Sequence, residues 1–393
     1  MKRLIACLSL CAAAAIPLSS AHAAEPVRIG MGFPFTGAYA APATDPLQAF
    51  RLWVDQVNDK GGLEVEGERR PIELVTYDDQ SDPAKTVAVY EKLITDDKVD
   101  LLLSPWGAPS HFAVVGTLER YGFPVVGSTA SSLQIRDLKA QNIWFPTSSI
   151  PDQQAEAVVS FLKAQGATKV ALSTVQLGYA QESRRMMLAA LKKGGIEVVL
   201  DREYAPGIQD MTPIVSEIKR ANPDAVLSMS YQADGILYLR AAREQGLTTP
   251  IQYVLLGATA AYFKKMFGPN LDGILAMGHW SPEKSDWPGA REFADAYKQR
   301  YGDEPDYLGS TLAYMSAQVL EQAVAKVGLD KDKLREAIAT SEFSTINGPV
   351  RFDGVANAVT PSMILQQQNG TTQIVWPPEV ATADFEKRTG WAN

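Results

Sequence analysis

Cysteine is almost absent from this chain of 393 residues, and the two that occur, Cys7 and Cys11, lie near its amino-terminal end. Residues 24–393 contain no thiol. This excludes a disulfide framework, a cysteine nucleophile and a thiolate metal site from that part of the chain.

Histidine is nearly as scarce, and the two histidines beyond position 23 are His111 and His279. Neither has the spacing of a zinc hydrolase motif. The sequence also has no Gly-x-Ser-x-Gly turn for a hydrolase serine, no Gly-x-Gly-x-x-Gly after its first predicted strand, and no Lys-Ser/Thr pair in residues 32–37 for a phosphate-binding loop. We therefore expect a protein that is not an enzyme, with no catalytic residues, no metal and no cofactor.

The chain also has no excess of basic residues. The chain carries 37 Lys and Arg against 45 Asp and Glu, a net charge of −8. Because this balance is acidic, nucleic acid and anionic membrane surfaces are not expected partners. The apolar run at residues 4–18 is shorter than the ~20 residues of a membrane-spanning helix, and no later segment is long and apolar enough.

The amino-terminal end does contain the three-part pattern of a secretory signal. Lys2 and Arg3 precede the apolar run, and Ala21-His22-Ala23 places small residues where a signal peptidase reads them. We predict a signal at residues 1–23 rather than a buried helix. A faint lipoprotein-type site at Leu8–Cys11 has an unsuitable leucine before the cysteine, so a free soluble protein is favoured. The remaining 370 residues, with 35 basic and 45 acidic side chains, exceed what one core usually supports and predict two domains.

Short β-branched runs alternate with amphipathic helix-length segments from residue 27 onward. The first series predicts strands at Val27–Met31, Ile72–Tyr77, Leu101–Leu103 and Val125–Val126, and helices at Leu47–Asn58, Ala84–Thr95 and Phe112–Tyr121. After a changeover near Phe145–Pro151 the series restarts, with helices at Gln153–Gln165, Glu182–Lys193, Thr212–Arg220 and Gly235–Gln245 and strands at Val170–Ser173, Val198–Leu200, Ala225–Met229 and Tyr253–Leu256. Strands separated by helices predict βαβ units, and hence two α/β lobes with parallel sheets.

The last third of the sequence is less regular. It predicts helices at Pro288–Tyr301 and Tyr307–Val327, followed by strands at Gly348–Gly354, Met363–Gln367 and Gln373–Trp376. We expect these strands to form a small sheet that closes the chain. Together with the long helix, this sheet indicates that the polypeptide crosses between the lobes more than once.

Two groups of polar residues leave alternatives open. Asp78, Asp79 and Asp82 follow a predicted strand and could bind a metal or act in acid–base chemistry. The favoured interpretation is a solvated loop in which Asp82 caps the next helix. His111 could line a cleft, but a hydrogen-bonded structural histidine is favoured.

Three loops with glycines, short hydroxyls or both follow predicted strands of the first lobe, at residues 33–37, 104–108 and 127–131. In an open parallel sheet the ligand crevice lies outside these strand ends. Backbone N–H groups, short hydroxyls such as Thr36, and the helix starts that follow suit a carboxylate or another polar oxygen without a cationic side chain. The alternative is that all three are ordinary turns.

At these loops the chain resembles the periplasmic branched-chain amino-acid-binding proteins, the type I solute-binding proteins of ABC importers. The resemblance runs from about Val27 to the carboxyl end. It rests on the order and spacing of the segments 32–37, 78–83, 120–132, 177–181, 204–207, 210–214 and 222–226. It implies a periplasmic, monomeric protein with two Rossmann-like lobes joined by a three-crossover hinge, lobe 1 being residues 24–147 with 282–348 and lobe 2 residues 148–281 with 349–393.

The resemblance also assigns ligand-binding positions. Ser131 matches a hydroxyl that binds the ligand carboxylate, and Thr129 matches a main-chain contact. Tyr179 and Tyr231 match aromatics of the second lobe that cover the ligand. Trp106, Gly107 and Ala108 line the third-strand loop, and Trp106 with Phe33 or Phe35 could pack against an apolar ligand.

Three departures from the family pattern bear on the ligand. A carboxylate-binding serine falls on Ala108, and the first-lobe tyrosine that closes over the ligand falls near Pro42. The acid that pairs with an α-ammonium should lie within Leu256–Thr259, where there is none. A buried ammonium without a carboxylate is costly, so the ligand need not be an α-amino acid. Asp234 is a substitute acid or, as favoured, a helix-start residue.

The leading hypothesis is a binding protein that delivers a small carboxylate-bearing ligand, either a hydrophobic amino acid or an aromatic or other organic acid, to a permease in the inner membrane. A periplasmic sensory module that signals to a membrane receptor or a partner protein is the alternative of a different class. The third hypothesis is that the protein is an enzyme.

Overall fold

The computed structural model describes residues 25–392, so the predicted signal and both cysteines lie outside the described residues. The α-helices are α1 Ala40–Asp59, α2 Pro83–Thr95, α3 Ala108–Tyr121, α4 Gln134–Asp137, α5 Pro151–Ala164, α6 Gly178–Gly194, α7 Thr212–Ala221, α8 Gln232–Glu244, α9 Ala261–Phe267, α10 Ala290–Tyr301, α11 Gly309–Val327 and α12 Lys331–Thr340. Within the described part, no helix is long and apolar enough to cross a membrane.

The strands complete a mixed α/β architecture. They are β1 Val27–Phe33, β2 Leu63–Val65, β3 Glu68–Arg70, β4 Ile72–Asp78, β5 Leu101–Leu102, β6 Val125–Val126, β7 Ile143–Trp144, β8 Lys169–Val175, β9 Glu197–Tyr204, β10 Ala225–Met229, β11 Ile251–Val254, β12 Ile274–Gly278, β13 Glu342–Thr345, β14 Gly348–Asp353, β15 Ala356–Asn357, β16 Met363–Gln368 and β17 Thr371–Trp376.

The first lobe is built on parallel pairing around β1, which has β4 on one side and β5 on the other. The side chains of β1 alternate because successive residues of a strand face opposite sides of a sheet. Its large apolar residues lie in the cluster shared with α1 and α11, while Gly30 and Gly32 face α2. A Cβ at Gly32 would lie 2.8 Å from Val89 of α2, so glycine lets this helix pack close to the sheet.

The second lobe contains one large sheet with the strand order β17-β16-β12-β11-β10-β8-β9. The five strands from β12 to β9 are parallel, as predicted, and a single cluster of buried apolar side chains covers them. β16 and β17 add to this sheet in the antiparallel sense. The expected small closing sheet is therefore wrong in part, because β14 pairs instead with β13 and β15 in a separate sheet.

Three segments connect the lobes, and we call residues 145–150, 279–282 and 358–362 the first, second and third crossovers. The sequence-based division at residues 348/349 falls at the first residue of β14. Val350 and Phe352 of this strand lie in a first-lobe apolar cluster, and Phe145 pairs with Ala356. We therefore propose that the second lobe resumes after the third crossover rather than at residue 349.

Candidate ligand-binding site

A buried histidine holds two strand-end loops of the first lobe together. The Ser128 N–H donates to His111 Nε2 at 3.1 Å, so the ring proton lies on Nδ1, which donates to the Gly107 carbonyl at 2.8 Å. Burial lowers the pKa of His111 to about 4 and keeps the ring neutral. His111 is therefore a hydrogen-bonded structural residue that fixes the loops on which the predicted ligand residues stand.

Thr129 and Ser131, in the loop after β6, use their hydroxyls differently. Thr129 Oγ1 accepts the Gly107 N–H at 3.0 Å and so links this loop to the one after β5. Ser131 Oγ donates to the carbonyl oxygen of Ser149, in the first crossover, at 2.5 Å. Ala108 is the first residue of α3, where N–H groups have no acceptor within the helix. Backbone donors and the hydroxyls of Thr129 and Ser131 thus lie at this strand edge.

Tyr179 brings a second hydroxyl to the same carbonyl from the opposite lobe. Its phenol oxygen lies 3.4 Å from the Ser149 carbonyl oxygen, 3.3 Å from Gln154 Oε1 and 3.3 Å from Met277 Sδ. Burial raises the pKa of Tyr179, so the phenol stays neutral. Ser131 and Tyr179, predicted to face a ligand from opposite lobes, therefore converge on one point in the first crossover.

Aromatic side chains flank this polar centre. Trp106 packs against Tyr39 with ring centroids 5.0 Å apart, and Tyr39 remains 41 % exposed. Tyr231 directly precedes α8 in the second lobe, and burial, together with the nearby Tyr39 phenol, raises its pKa. Tyr39 lies three residues before Pro42 and supplies an aromatic ring close to the position where the family pattern expects a tyrosine.

Thr36 is engaged elsewhere. Its hydroxyl donates to Asp78 Oδ2 at 2.6 Å, and the N–H groups of Phe35 and Thr36 donate to Asp78 Oδ1 at 3.0 and 3.2 Å. Burial alone would raise the pKa of Asp78, but these hydrogen bonds, led by the one from Thr36, lower it. The loop after β1 is thus tied to β4 through Asp78, while Thr36 itself is exposed, and its predicted contact with a ligand stays a prediction.

The acidic cluster beside this loop is structural. Asp82 accepts the Ala84 N–H at 2.8 Å and caps α2, as favoured from the sequence. Asp79 is buried and accepts from the Ser81 N–H and the Thr86 hydroxyl. Among residues 25–392, no group of His, Cys, Asp or Glu is arranged to hold a metal ion.

The loop Leu256–Thr259, which lacks the acid expected from the family pattern, has no room for an acidic side chain at Gly257. Gly257 has φ +102°, and a Cβ there would lie 2.7 Å from the ring of Phe263. Asp234, the other acid considered, lies at the start of α8, where its Oδ2 accepts from the Tyr204 hydroxyl at 2.7 Å and from the Tyr231 N–H at 3.2 Å. Its helix-start role, favoured from the sequence, is therefore the one observed.

A cavity of about 190 Å³ lies away from these hydroxyls, between α9, α10 and the turn from β16 to β17. Its cations are matched by acids, with Arg291 2.6 Å from Glu283 and Lys264 2.8 Å from Glu304. Because neither Ser131 nor Tyr179 lines it, we do not assign the ligand to this cavity.

Several residues at the polar centre were missed by the sequence analysis. Ser149, Gln154 and Met277 have no motif or periodicity that would single them out, because they meet only when the crossover folds between the lobes. Tyr39 did carry a signal, since it stands in the loop directly after the first predicted strand.

The chain belongs to the periplasmic binding protein family, whose sequence profile matches residues 26–373. It is 26% identical over 400 residues to Leu/Ile/Val-binding protein homolog 7 of Brucella abortus (strain 2308), covering 95% of this chain and 96% of the relative. The resemblance to branched-chain amino-acid-binding proteins is thereby confirmed, and with it the expectation that the family is one of periplasmic solute-binding proteins.

Solved structures share the fold. The substrate-binding protein of a branched-chain amino acid transporter from Streptococcus pneumoniae, in complex with isoleucine, has a TM-score of 0.75 at 23% identity and covers 90% of this chain and 100% of its own. A solute-binding protein of an ABC transporter from R. palustris, in complex with benzoate, has a TM-score of 0.76 at 21% identity and covers 94% and 98%. The type I two-lobed α/β fold predicted from the sequence is therefore confirmed.

Proposed function

We propose that the protein is the substrate-binding component of an ABC importer and captures a small carboxylate-bearing ligand between its lobes. The observation that carries this proposal is the convergence of Ser131 and Tyr179, from opposite lobes, on one carbonyl oxygen. Two neutral hydroxyls that meet between lobes can turn to donate to a bound carboxylate. Hydrogen bonds to a charged acceptor are among the stronger ones in proteins.

The surroundings of this centre favour an aromatic or other apolar acid over an α-amino acid. Trp106, Tyr39 and Tyr231 supply apolar ring surface. A ligand ammonium, in contrast, finds no acid in the loop at Gly257, and Asp234 is committed to the start of α8. Leaving a buried cation unpaired costs more than the remaining contacts of a small ligand readily offset.

A matched pair of ligands tests this preference. Isoleucine and 3-methylpentanoate differ by the α-ammonium alone, and benzoate adds the aromatic case. We expect 3-methylpentanoate and benzoate to raise the melting temperature of the protein, since a ligand at 100 times its Kd stabilises by about 2.7 kcal/mol. Stabilisation by isoleucine but not by 3-methylpentanoate would show that an acid binds the ammonium and would contradict the preference.

Delivery to a permease of the inner membrane is the second half of the proposal, and the secretory signal predicted at residues 1–23 supports it. Uptake of the labelled ligand by cells that lack this gene distinguishes transport from sensing. We expect uptake to fall in the deletion strain and to recover with the wild-type gene. Unchanged uptake together with a lost transcriptional or motility response would instead favour the sensory role.

A further inference from the structure

His279 lies in the second crossover and bonds to the first. Its ring is 1 % exposed, with Nδ1 2.9 Å from the Ser148 hydroxyl and Nε2 3.1 Å from the Ser149 hydroxyl. A neutral imidazole has one donor and one acceptor nitrogen, and a hydroxyl can take either role, so both contacts are hydrogen bonds in either tautomer. The ring therefore fastens two of the three connections between the lobes.

The backbone of His279 is anchored too. Its N–H donates to the Tyr307 carbonyl at 3.0 Å, and its own carbonyl accepts from Asn347 Nδ2 at 3.3 Å. Both partners lie in segments on the first-lobe side, after the second crossover. Because these bonds hold the backbone of His279, its imidazole has a fixed position. The hydrogen bonds of the ring to Ser148 and Ser149 then position the first crossover.

Ser149 is the residue on which these contacts meet the candidate ligand site. Its hydroxyl bonds to His279, while its carbonyl accepts from Ser131 of the first lobe and approaches Tyr179 of the second. A ligand carboxylate that binds the Ser131 hydroxyl must therefore replace the Ser149 carbonyl as its acceptor. Ligand affinity therefore depends directly on how firmly the Ser149 carbonyl is held in place.

We propose that His279 is a positioning residue that sets ligand affinity and the angle between the lobes through Ser149, without touching the ligand. The imidazole holds the first crossover so that the Ser149 carbonyl stands between the hydroxyls of the two lobes. Without the ring, two buried hydroxyls lose a partner and the crossover must rearrange to satisfy them. This inference rests on the proposed ligand site, but its effect on the ligand-free lobes is independent of it.

Three variants distinguish a positioning role of His279 from a general loss of protein stability. His279→Leu removes both hydrogen bonds, and His279→Gln keeps a donor and an acceptor on the side chain. Gln252→Leu is the matched control, because Gln252 is equally buried, bonds to Tyr238 and the Leu247 carbonyl inside the second lobe, and is remote from the crossovers. Benzoate and 3-methylpentanoate serve as probes in calorimetric titrations.

The lobe angle is measured without ligand, from the distance between spin labels at the exposed positions Glu68→Cys and Lys193→Cys. We expect His279→Leu to shift this distance distribution and to weaken binding by at least about fivefold. His279→Gln should restore both, and Gln252→Leu should change the melting temperature alone. If no probe binds the wild type, the proposed ligand is wrong, but the label distances still decide the role of His279. An unshifted distance in His279→Leu, or an equal shift in Gln252→Leu, would overturn the inference.

Discussion

Ser131 and Tyr179 are neutral side chains, and this shapes what their site can bind. A carboxylate held by hydroxyls and backbone N–H groups needs no cationic partner, because each hydrogen bond to the charged oxygen contributes separately. The Thr129 hydroxyl accepts the Gly107 N–H, which links it to the neighbouring loop and leaves its own proton free to donate. At the residue scale, we propose that Ser131, whose hydroxyl meets that of Tyr179 at the Ser149 carbonyl, is the first-lobe side chain on which affinity depends most.

Replacing this hydroxyl tests its role. Ser131→Ala should weaken carboxylate binding by about 10- to 100-fold, the equivalent of the 1.5–3 kcal/mol of a hydrogen bond to a charged group. Titration calorimetry with benzoate measures the loss. Thr340→Ala, which removes an exposed hydroxyl on α12, is the control and should bind like wild type. Equal affinities of Ser131→Ala and wild type would remove Ser131 from the site.

The buried histidines give stability a pH dependence whose sign can be worked out. The pKa of His111 is about 4 in the folded protein, below its ordinary value of 6.5, so acid protonates the unfolded chain first. The wild type therefore loses about 1.4 kcal/mol per pH unit through this residue as the pH falls from about 6.5 to about 4.

The variant His111→Gln has no imidazole and therefore lacks this pH-dependent contribution to stability. At pH 7 this variant should be less stable than wild type, because its hydrogen bonds to Gly107 and Ser128 are weakened. The difference between the two free energies of unfolding should become smaller as the pH falls below 6.5. Urea unfolding at several pH values measures it. A gap between the two proteins that stays constant from pH 7 to pH 4 would show that His111 is not held neutral.

At the scale of elements, short contacts join the lobes outside the crossovers. Lys264 of α9, in the second lobe, lies 2.8 Å from Glu304 in the loop between α10 and α11 of the first. Its side chain is 18 % exposed and that of Glu304 is 39 % exposed. Solvent screening limits such a pair to about 0.5–1 kcal/mol. It contributes to the contact between lobes rather than to either lobe alone.

Breaking this pair should therefore affect ligand binding more than folding. Lys264→Gln is expected to weaken benzoate binding about two- to fivefold at low salt, and less at 0.5 M salt, where the pair is already screened. Lys284→Gln is the matched control, since Lys284 is similarly buried but pairs with Asp286 in its own loop. If the two variants bind alike at every salt concentration, the pair does not favour the lobe arrangement seen here.

Sequence patterning predicted elements well where one periodicity persists. β1, β8 and β10 were found because apolar or β-branched residues run almost continuously through these buried strands. α1 begins at Ala40, seven residues earlier than predicted. Its first turns contain two prolines, which normally argue against helix, but Pro46 is buried against Gly309 of α11. Tertiary packing thus overrides the local signal.

Other elements gave no usable signal. β12 carries an apolar run, yet no clear helix pattern introduces it, and α9 and α12 are short. The polar centre was half predicted: Ser131 and Tyr179 came from the family resemblance, whereas Ser149 and His279 did not. A buried serine or histidine in a crossover has no periodic neighbours, so its role becomes visible only when distant segments meet.

At the scale of the whole molecule, each lobe has its own apolar core, β16 and β17 contribute side chains to clusters of both, and the crossovers connect the lobes. One apolar cluster fills the second lobe, and two others pack around the first-lobe sheet. Asn357, at the end of β15, donates to the Pro146 carbonyl at 2.8 Å and so ties the approach to the third crossover to the first. The connections are therefore hydrogen-bonded to one another, and we expect them to act as one hinge beside the hydroxyls proposed to bind the ligand.

A crystal structure of the protein with the ligand that copurifies with it tests the central claim most directly. We expect a carboxylate between the lobes, within hydrogen-bonding distance of Ser131 Oγ and the Tyr179 hydroxyl, with its apolar part against Trp106. A ligand in the cavity beside Arg291, or a carboxylate that does not contact Ser131, would contradict the account.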